Sequence, residues 1–283
     1  MKIFPVLFLA VACCGCEADA VLSAPGDMPI SEIQGNAAVS PLEGQQVTVT
    51  GIVSGDFQDD DANPDSLGGF YLQSLAADDD PRSSEGLFVF DRNAQSAEVI
   101  AGDVVQVSGR VDERFGETQL NASTVRKVGR KNLRLTELTL PAAAVMTNSD
   151  EIVIADLERY EGMLVRIEQP LFVQDLAGLG RYGEIQLSSV KRQFQFTSTQ
   201  TPDASAYREH RARVATQTLL LDDGRVEQNV SPVRYLSANG LPARAPRIGD
   251  AVEGLQGVLR YSRGSGPNGL ETWRLMPTAE PQF

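Results

Sequence analysis

The best metal-ligand spacing in the chain lies in the acidic run from Asp56 to Asp65. Asp59, Asp61, Asn63 and Asp65 alternate as the first ligands of an EF-hand loop do, and their hard oxygens suit Ca²⁺. Pro64 stands where that loop needs a turn glycine, and Phe70 where it needs a bidentate Glu. The pattern therefore predicts either a weak extracellular-type Ca²⁺ site or a solvated acidic loop, with Asp78-Asp79-Asp80 adding ligands or only charge. His210 is the single histidine, set among Arg208, Glu209, Arg211 and Arg213. One imidazole excludes two-histidine acid–base schemes and His-rich metal sites, and no sequence pattern supplies it with a nucleophile. Gly264-Ser265-Gly266-Pro267-Asn268-Gly269 lacks the Lys-Ser/Thr of a phosphate loop and reads as a hairpin tip. No residue is assigned a catalytic role.

Arginine and aromatic side chains offer a second chemistry, stacking on bases and pairing with phosphates. In the second half, Arg181, Tyr182, Arg208, Arg211, Arg213 and Arg263 form the candidate nucleic-acid-binding set. The first half supplies Phe70, Tyr71, Phe88, Phe90 and Phe115 with little basic charge, and strand alternation sends at least half of these into a core. Residues 1–120 hold 5 basic and 20 acidic residues, a balance of 5 − 20 = −15, whereas residues 121–283 hold 20 and 18, a balance of +2. The net charge of −13 is thus carried by the first half, which repels a polyphosphate. Nucleic-acid binding is expected on the second.

The elements that must position these residues are almost all strands. Val47–Val53, Gly69–Gln73, Gly86–Phe90 and Val104–Val111 are β-branched or alternating runs, Thr118-Gln119-Leu120 begins another, and turn residues separate them. The plan then repeats. Leu42–Val49 has a counterpart in Tyr160–Ile167, Ala101–Val111 in Ile248–Leu259, and Phe115–Leu120 in Gly269–Leu275. In the middle pair a Gly-Asp turn feeds an alternating strand, and a glycine follows where a small barrel must bend. The expectation is an all-β chain of two tandem small β-barrels, at 30–140 and 141–283. The second carries an insertion at 191–247, in which Asp203–Arg213 suits a short helix with Asp203 at its start.

The N-terminus reads as export. Residues 1–15 have one Lys, an apolar run and small residues, the pattern of a short signal peptide, and a tether over 16–29 follows. All three cysteines fall here, so no disulfide is expected to staple the folded part. A lipoprotein signal places a small residue before the lipidated cysteine. Cys16 follows Gly15 and leaves the more usual signal length; Cys13 follows Ala12 and is the alternative, as is an ordinary secretory signal. The expected location is the cell envelope, as an outer-membrane lipoprotein, although Glu17 after Cys16 leaves the choice of membrane open. Past the signal, no apolar run approaches the length of a membrane span.

Ile30–Gly35, Val49–Val53, Gly68–Gln73 and Ser83–Phe90, with Tyr160–Val165, Gly180–Ile185 and Leu219–Gly224, resemble the N-terminal OB-fold-like region of large bacterial extracellular nucleases. The resemblance runs in order from about residue 30 to the C-terminus. It implies that both barrels are OB-like. In that family an endonuclease/exonuclease/phosphatase-type domain follows, using a divalent metal, an Asp-x-Asn motif and paired histidines, none of which can be placed here. What the resemblance implies is a non-catalytic binding or scaffold module, with DNA or a nuclease catalytic subunit as partner. The competing expectations are a piece of a split nuclease and a Ca²⁺-stabilised envelope interaction protein.

Overall fold

The computed structural model describes residues 26–58, 66–78, 80–92, 98–238, 241–242, 245–265 and 269–283. The protein is all-β in architecture, with three short α-helices among the described residues. The expected signal and both candidate lipidation sites, Cys13 and Cys16, lie outside the described residues, as do Asp59, Asp61, Asn63 and Asp65.

A closed five-stranded barrel comes first. Its strands are β1 (Gln46–Phe57), β2 (Gly69–Gln73), β3 (Gly86–Phe90), β4 (Asp103–Arg114) and β5 (Glu117–Arg130), in the order β1-β2-β3-β5-β4. β3 and β5 are parallel; the other pairs are antiparallel. Alternation fills the interior with Val49, Val53, Phe70, Leu72, Leu87, Val89, Val105 and Leu120. Helix α1 (Ile30–Gln34) contributes Ile30 and Ile33 to that core. Asp27 and Met28, read from the sequence as tether, belong to the fold. The Asp27 carboxylate accepts from Thr50 Oγ1 and from Gln106 Nε2 (3.0 Å), and Met28 N–H donates to Thr48 O (2.7 Å). Such polar anchoring leaves no periodicity to read.

The second sheet contains β6 (Thr136–Glu137), β9 (Leu164–Ile167), β10 (Leu171–Asp175), β11 (Ile185–Ser188), β12 (Thr218–Leu221), β15 (Ala251–Val252), β16 (Leu255–Ser262) and β17 (Thr272–Pro277). Outside it lie two small antiparallel pairs: β7 (Val145–Thr147) with β8 (Val153–Ala155), and β13 (Ser237–Ala238) with β14 (Leu241–Pro242). Helices α2 (Leu179–Tyr182) and α3 (Ala204–Gln217) flank the sheet's strands in the chain. The sheet order is β15-β10-β11-β12-β17-β16-β9-β6.

Four of these strands are the halves of two broken ones. Only Glu168-Gln169-Pro170 separates β9 from β10, where Pro170 cannot donate to a ladder. Only Glu253-Gly254 separates β15 from β16, with Gly254 at φ 60°. Rejoining the halves gives (β9, β10)-β11-β12-β17-(β15, β16), the strand order of the first barrel, and β12 runs parallel to β17 as β3 does to β5. Register agrees as well: Val47 faces Gly109 and Val165 faces Gly257. β12 lies inside the 191–247 stretch read as an insertion and is a full member of this sheet. The interruption between β11 and β12 is 189–217, and α3 occupies its second half. Asp203 caps that helix, accepting from Ala206 N–H at 2.8 Å.

The units are packed face to face. Phe57, Leu67, Tyr71 and Phe88 of the first meet Leu164, Val258 and Met276 of the second. Tyr71 lies 4.9 Å from Phe88 and 5.8 Å from Phe57 between ring centroids, the latter edge-on. Polar bonds fix the register of this seam. Leu164 N–H donates to Gln73 Oε1 (3.1 Å), Thr118 N–H to Glu161 Oε1 (3.0 Å), and Ser84 Oγ to Glu161 O (2.5 Å).

Candidate functional site

A cleft of about 820 Å³ opens where the outward face of β3 and β5 looks toward β16 and the Asp222–Val226 turn. Its first wall carries Phe88, Phe90, Arg92, Arg114, Phe115, Gln119 and Asn121; its second carries Asp222, Arg225, Arg260, Ser262 and Arg263. Five arginines and two aspartates, Asp112 and Asp222, line the cleft in a protein of net charge −13. The aspartates are engaged. Asp112 accepts from Asn121 Nδ2 (3.1 Å), and Asp222 lies 3.2 Å from the buried Arg274 guanidinium.

The arginines differ in how far their charge is spent. Arg260 Nε donates to the buried Glu117 (3.0 Å), which also accepts from Tyr71 Oη–H (2.5 Å). Burial pushes the Glu117 carboxyl up, while Arg260 and the Tyr71 hydroxyl pull against it. Arg263 is held by Asp150 (2.9 Å) and Glu271 (2.6 Å). Arg114 is exposed, lies 5.2 Å from the Phe115 ring centroid, and has no ion pair among the described residues.

Phe115 is the unusual residue. β4 and β5 are joined by the two-residue loop Phe115-Gly116, with φ of 56° and 79°, between the paired Arg114 and Glu117. Positive φ at both positions is the hairpin geometry that selects Asn-Gly or Gly-Gly, and an aromatic side chain there is sterically unfavourable. Phe115 nevertheless occupies it, 59% exposed at the cleft. A Cβ on Gly116 would stand 2.5 Å from Tyr261 of the second unit, so the tip is pressed against its neighbour. A strained, exposed aromatic at a loop tip marks function more often than folding.

The candidate residues named from the sequence are not gathered into one site. Arg263 lines the cleft. Arg181 sits near its rim, donating to Gln228 Oε1 (2.8 Å), whose amide donates to Ser265 O (2.9 Å). Tyr182 lies under the Arg181 guanidinium, 5.1 Å from its ring centroid. Arg208, Arg211 and Arg213 stand on α3, and Arg211 and Arg213 border two other concavities. The sequence makes the second half the better candidate surface; the arginines that line the cleft come from both halves, Arg92 and Arg114 from the acidic one. Summing charge along the chain cannot show which few cations the fold turns toward one gap. The readable trace of Phe115 was its place before glycine in a two-residue turn. Among the described residues, no group of three or more His, Cys, Asp or Glu is placed to hold a metal, and no helix is long and apolar enough to cross a membrane.

The turn behind the cleft stores acidic groups at unusual values. Asp223 is buried beside Asp222; burial first, then that neighbour, pushes its carboxyl up to about 7. Burial, with Asp156 and Glu113 adding to it, likewise raises Glu158 to about 7. Folded-state values above unfolded ones mean full stabilisation below the unfolded value and its loss as pH rises through about 7. Tm should therefore fall between pH 5 and pH 8, by about 5 °C. Asp223→Asn keeps the acceptor for Arg225 N–H (3.1 Å) and should raise Tm at pH 8 while flattening the curve. Thermal melts of both proteins across that range check this; a wild-type Tm that is flat or rises with pH would overturn it.

No family model and no curated protein matches the chain. Among solved structures, a hypothetical protein, ygiW, from E. coli is 17% identical, with 30% of this chain and 77% of that one covered and a TM-score of 0.22. An OBody bound to hen egg-white lysozyme is 14% identical, with 38% of this chain and 99% of that one covered and a TM-score of 0.25. Likenesses at those scores carry no argument about this chain.

Proposed function

We propose that the chain is an exported, non-catalytic binding module of two OB-like barrels that takes single-stranded nucleic acid into the cleft between them. The observation that carries the reading is the exposed Arg114, with no ion pair among the described residues, beside the exposed Phe115 at positive φ, at a cleft that four further arginines line. Single strands are held by cations that track the phosphates and aromatic faces that stack the bases, and OB barrels present both on the face of their second and third strands. In the cleft the aromatic faces open to a strand are the half-buried Phe90 on β3 and the exposed Phe115 on the β4–β5 loop. The resemblance to the accessory region of extracellular nucleases agrees with this role, and the Cys16 or Cys13 lipid signal would keep the module at the envelope.

Phe115→Asn separates this role from a structural one. Asn suits the left-handed position, so the variant should be more stable by about 1 kcal/mol. It should also bind a fluorescent dT oligonucleotide about tenfold more weakly, since one base-stacking contact is worth about 1–3 kcal/mol. Fluorescence anisotropy at several salt concentrations, with urea melts alongside, reads both effects. Failure of wild type to bind at low salt, or unchanged affinity in the variant, would overturn the proposal.

A further inference from the structure

A second concavity, separate from the cleft, lies under α3 and measures about 940 Å³. That volume is in the range of small-molecule sites. Its lining is largely apolar: Ile152 and Ile154, Phe196, Val214, Leu219 and Leu270. α3 covers it from outside, turning Tyr207, Arg211 and Val214 toward it at helical spacing.

α3 lies against β7 and β8. α3 runs for 14 residues, yet none of its side chains is buried. Helices of that length in water depend on packing one side, and the few apolar side chains α3 carries, Tyr207 and Val214, line the groove. Leu270 and Tyr207 at the groove remain 43% and 47% exposed.

The polar groups at the groove fit one kind of head group. Arg211 contributes a guanidinium 6.0 Å from the Tyr207 ring centroid. His210 Nδ1 lies 3.0 Å from Arg213 Nη2, and since a guanidinium only donates, the proton sits on Nε2. His210 therefore offers an N–H donor, its ring resting edge-on against Phe196 at 5.6 Å. Asp203 also lines the groove at the helix start, where its Oδ1 accepts from Ala206 N–H. One fork-shaped cation and one imidazole N–H beside an apolar trough complement a single carboxylate on an apolar body. We infer that the groove under α3 binds an amphipathic monocarboxylate of fatty-acid type, its tail along Ile154, Leu219 and Val214 and its head at Arg211 and His210.

The test uses the whole chain, a fluorescent polyene fatty acid as reporter, and dodecanoate and dodecanol as competitors. Dodecanoate should displace the reporter at least tenfold better than dodecanol. Arg211→Met, which keeps the stem but removes the charge, should abolish that preference. Ala204→Trp, at an exposed position lining the groove, should weaken both competitors about tenfold without lowering Tm. Phe115→Asn, in the cleft, should leave the affinities for both competitors unchanged, so failure here is distinguishable from failure of the nucleic-acid reading. No displacement, equal affinity for acid and alcohol, or indifference to Arg211→Met would overturn the inference. So would sedimentation showing that a second copy already fills the groove.

Discussion

Gly86→Ala should cost about 3 kcal/mol or more and loosen the seam between the two barrels. A Cβ on Gly86 would lie well inside contact distance of the Gly162 carbonyl carbon and the Met163 nitrogen, and 2.5 Å from the Glu161 carbonyl oxygen. All three are backbone atoms, so no rotamer change relieves the clash, and the result lies at or beyond the upper end of ordinary overpacking. Two bonds sit on the same spot: Gln34 Nε2 donates to Gly86 O (2.6 Å), and Ser84 Oγ donates to Glu161 O (2.5 Å). Relief requires moving β3 away from the segment that enters β9, which widens the Phe88–Val258–Met276 contact and the cleft beside it. Urea unfolding should show a lower midpoint, and small-angle scattering a larger radius. An unchanged midpoint would mean that the units are not pressed together at this glycine.

The second large effect concerns Arg274, which is 1% exposed in the middle of β17. Its guanidinium pairs with Glu184 (3.0 Å) and Asp222 (3.2 Å) and donates to the carbonyls of Ser262, Thr272 (3.2 Å) and Leu270 (3.0 Å). Burial pushes both the Glu184 and Asp222 carboxyls up, and Arg274 is the first counterweight in each case. Arg274→Met fills the volume but leaves two carboxyls and three carbonyls without the cation, a loss of about 3–5 kcal/mol. Adding Asp222→Asn and Glu184→Gln removes the uncompensated charge, so the triple variant should recover more than half of it. Chemical denaturation of the single and triple variants decides. A cost below about 1 kcal/mol, or no recovery, would show that the cluster is not electrostatically coupled.

Much of the strand framework was legible because a half-buried strand must alternate and a barrel must turn. Val47–Val53 and Val104–Val111 fall within β1 and β4, and the paired glycines of the repeat, Gly109 and Gly257, take equivalent places against the next strand. At each, a side chain would strike a backbone carbonyl, that of Asn121 or of Met276, so glycine there reports a close approach of strands. Only the start of β5, Thr118-Gln119-Leu120, was legible, because beyond Leu120 the strand is mostly exposed and polar. Its length is set by the hairpin ladder with β4, which leaves no hydrophobic signal.

Arg274 shows the opposite limit. In an alternating strand its place reads as solvent-facing, and only the approach of Glu184 and the Asp222 turn from elsewhere in the chain buries it. The cleft is of the same kind. Arg92, Arg114, Arg225, Arg260 and Arg263 are scattered over more than half the chain, and no local pattern joins them.

Alternation, turn chemistry and the repeat therefore determined from sequence alone that this protein is built of small strands in two similar series, because those signals act over a few residues. Tertiary structure decided which face of the first barrel meets the second, which arginines keep a usable charge, and that Phe115 is displayed rather than buried. Those outcomes depend on groups far apart in sequence being brought within a few ångströms, where burial and pairing set their energies.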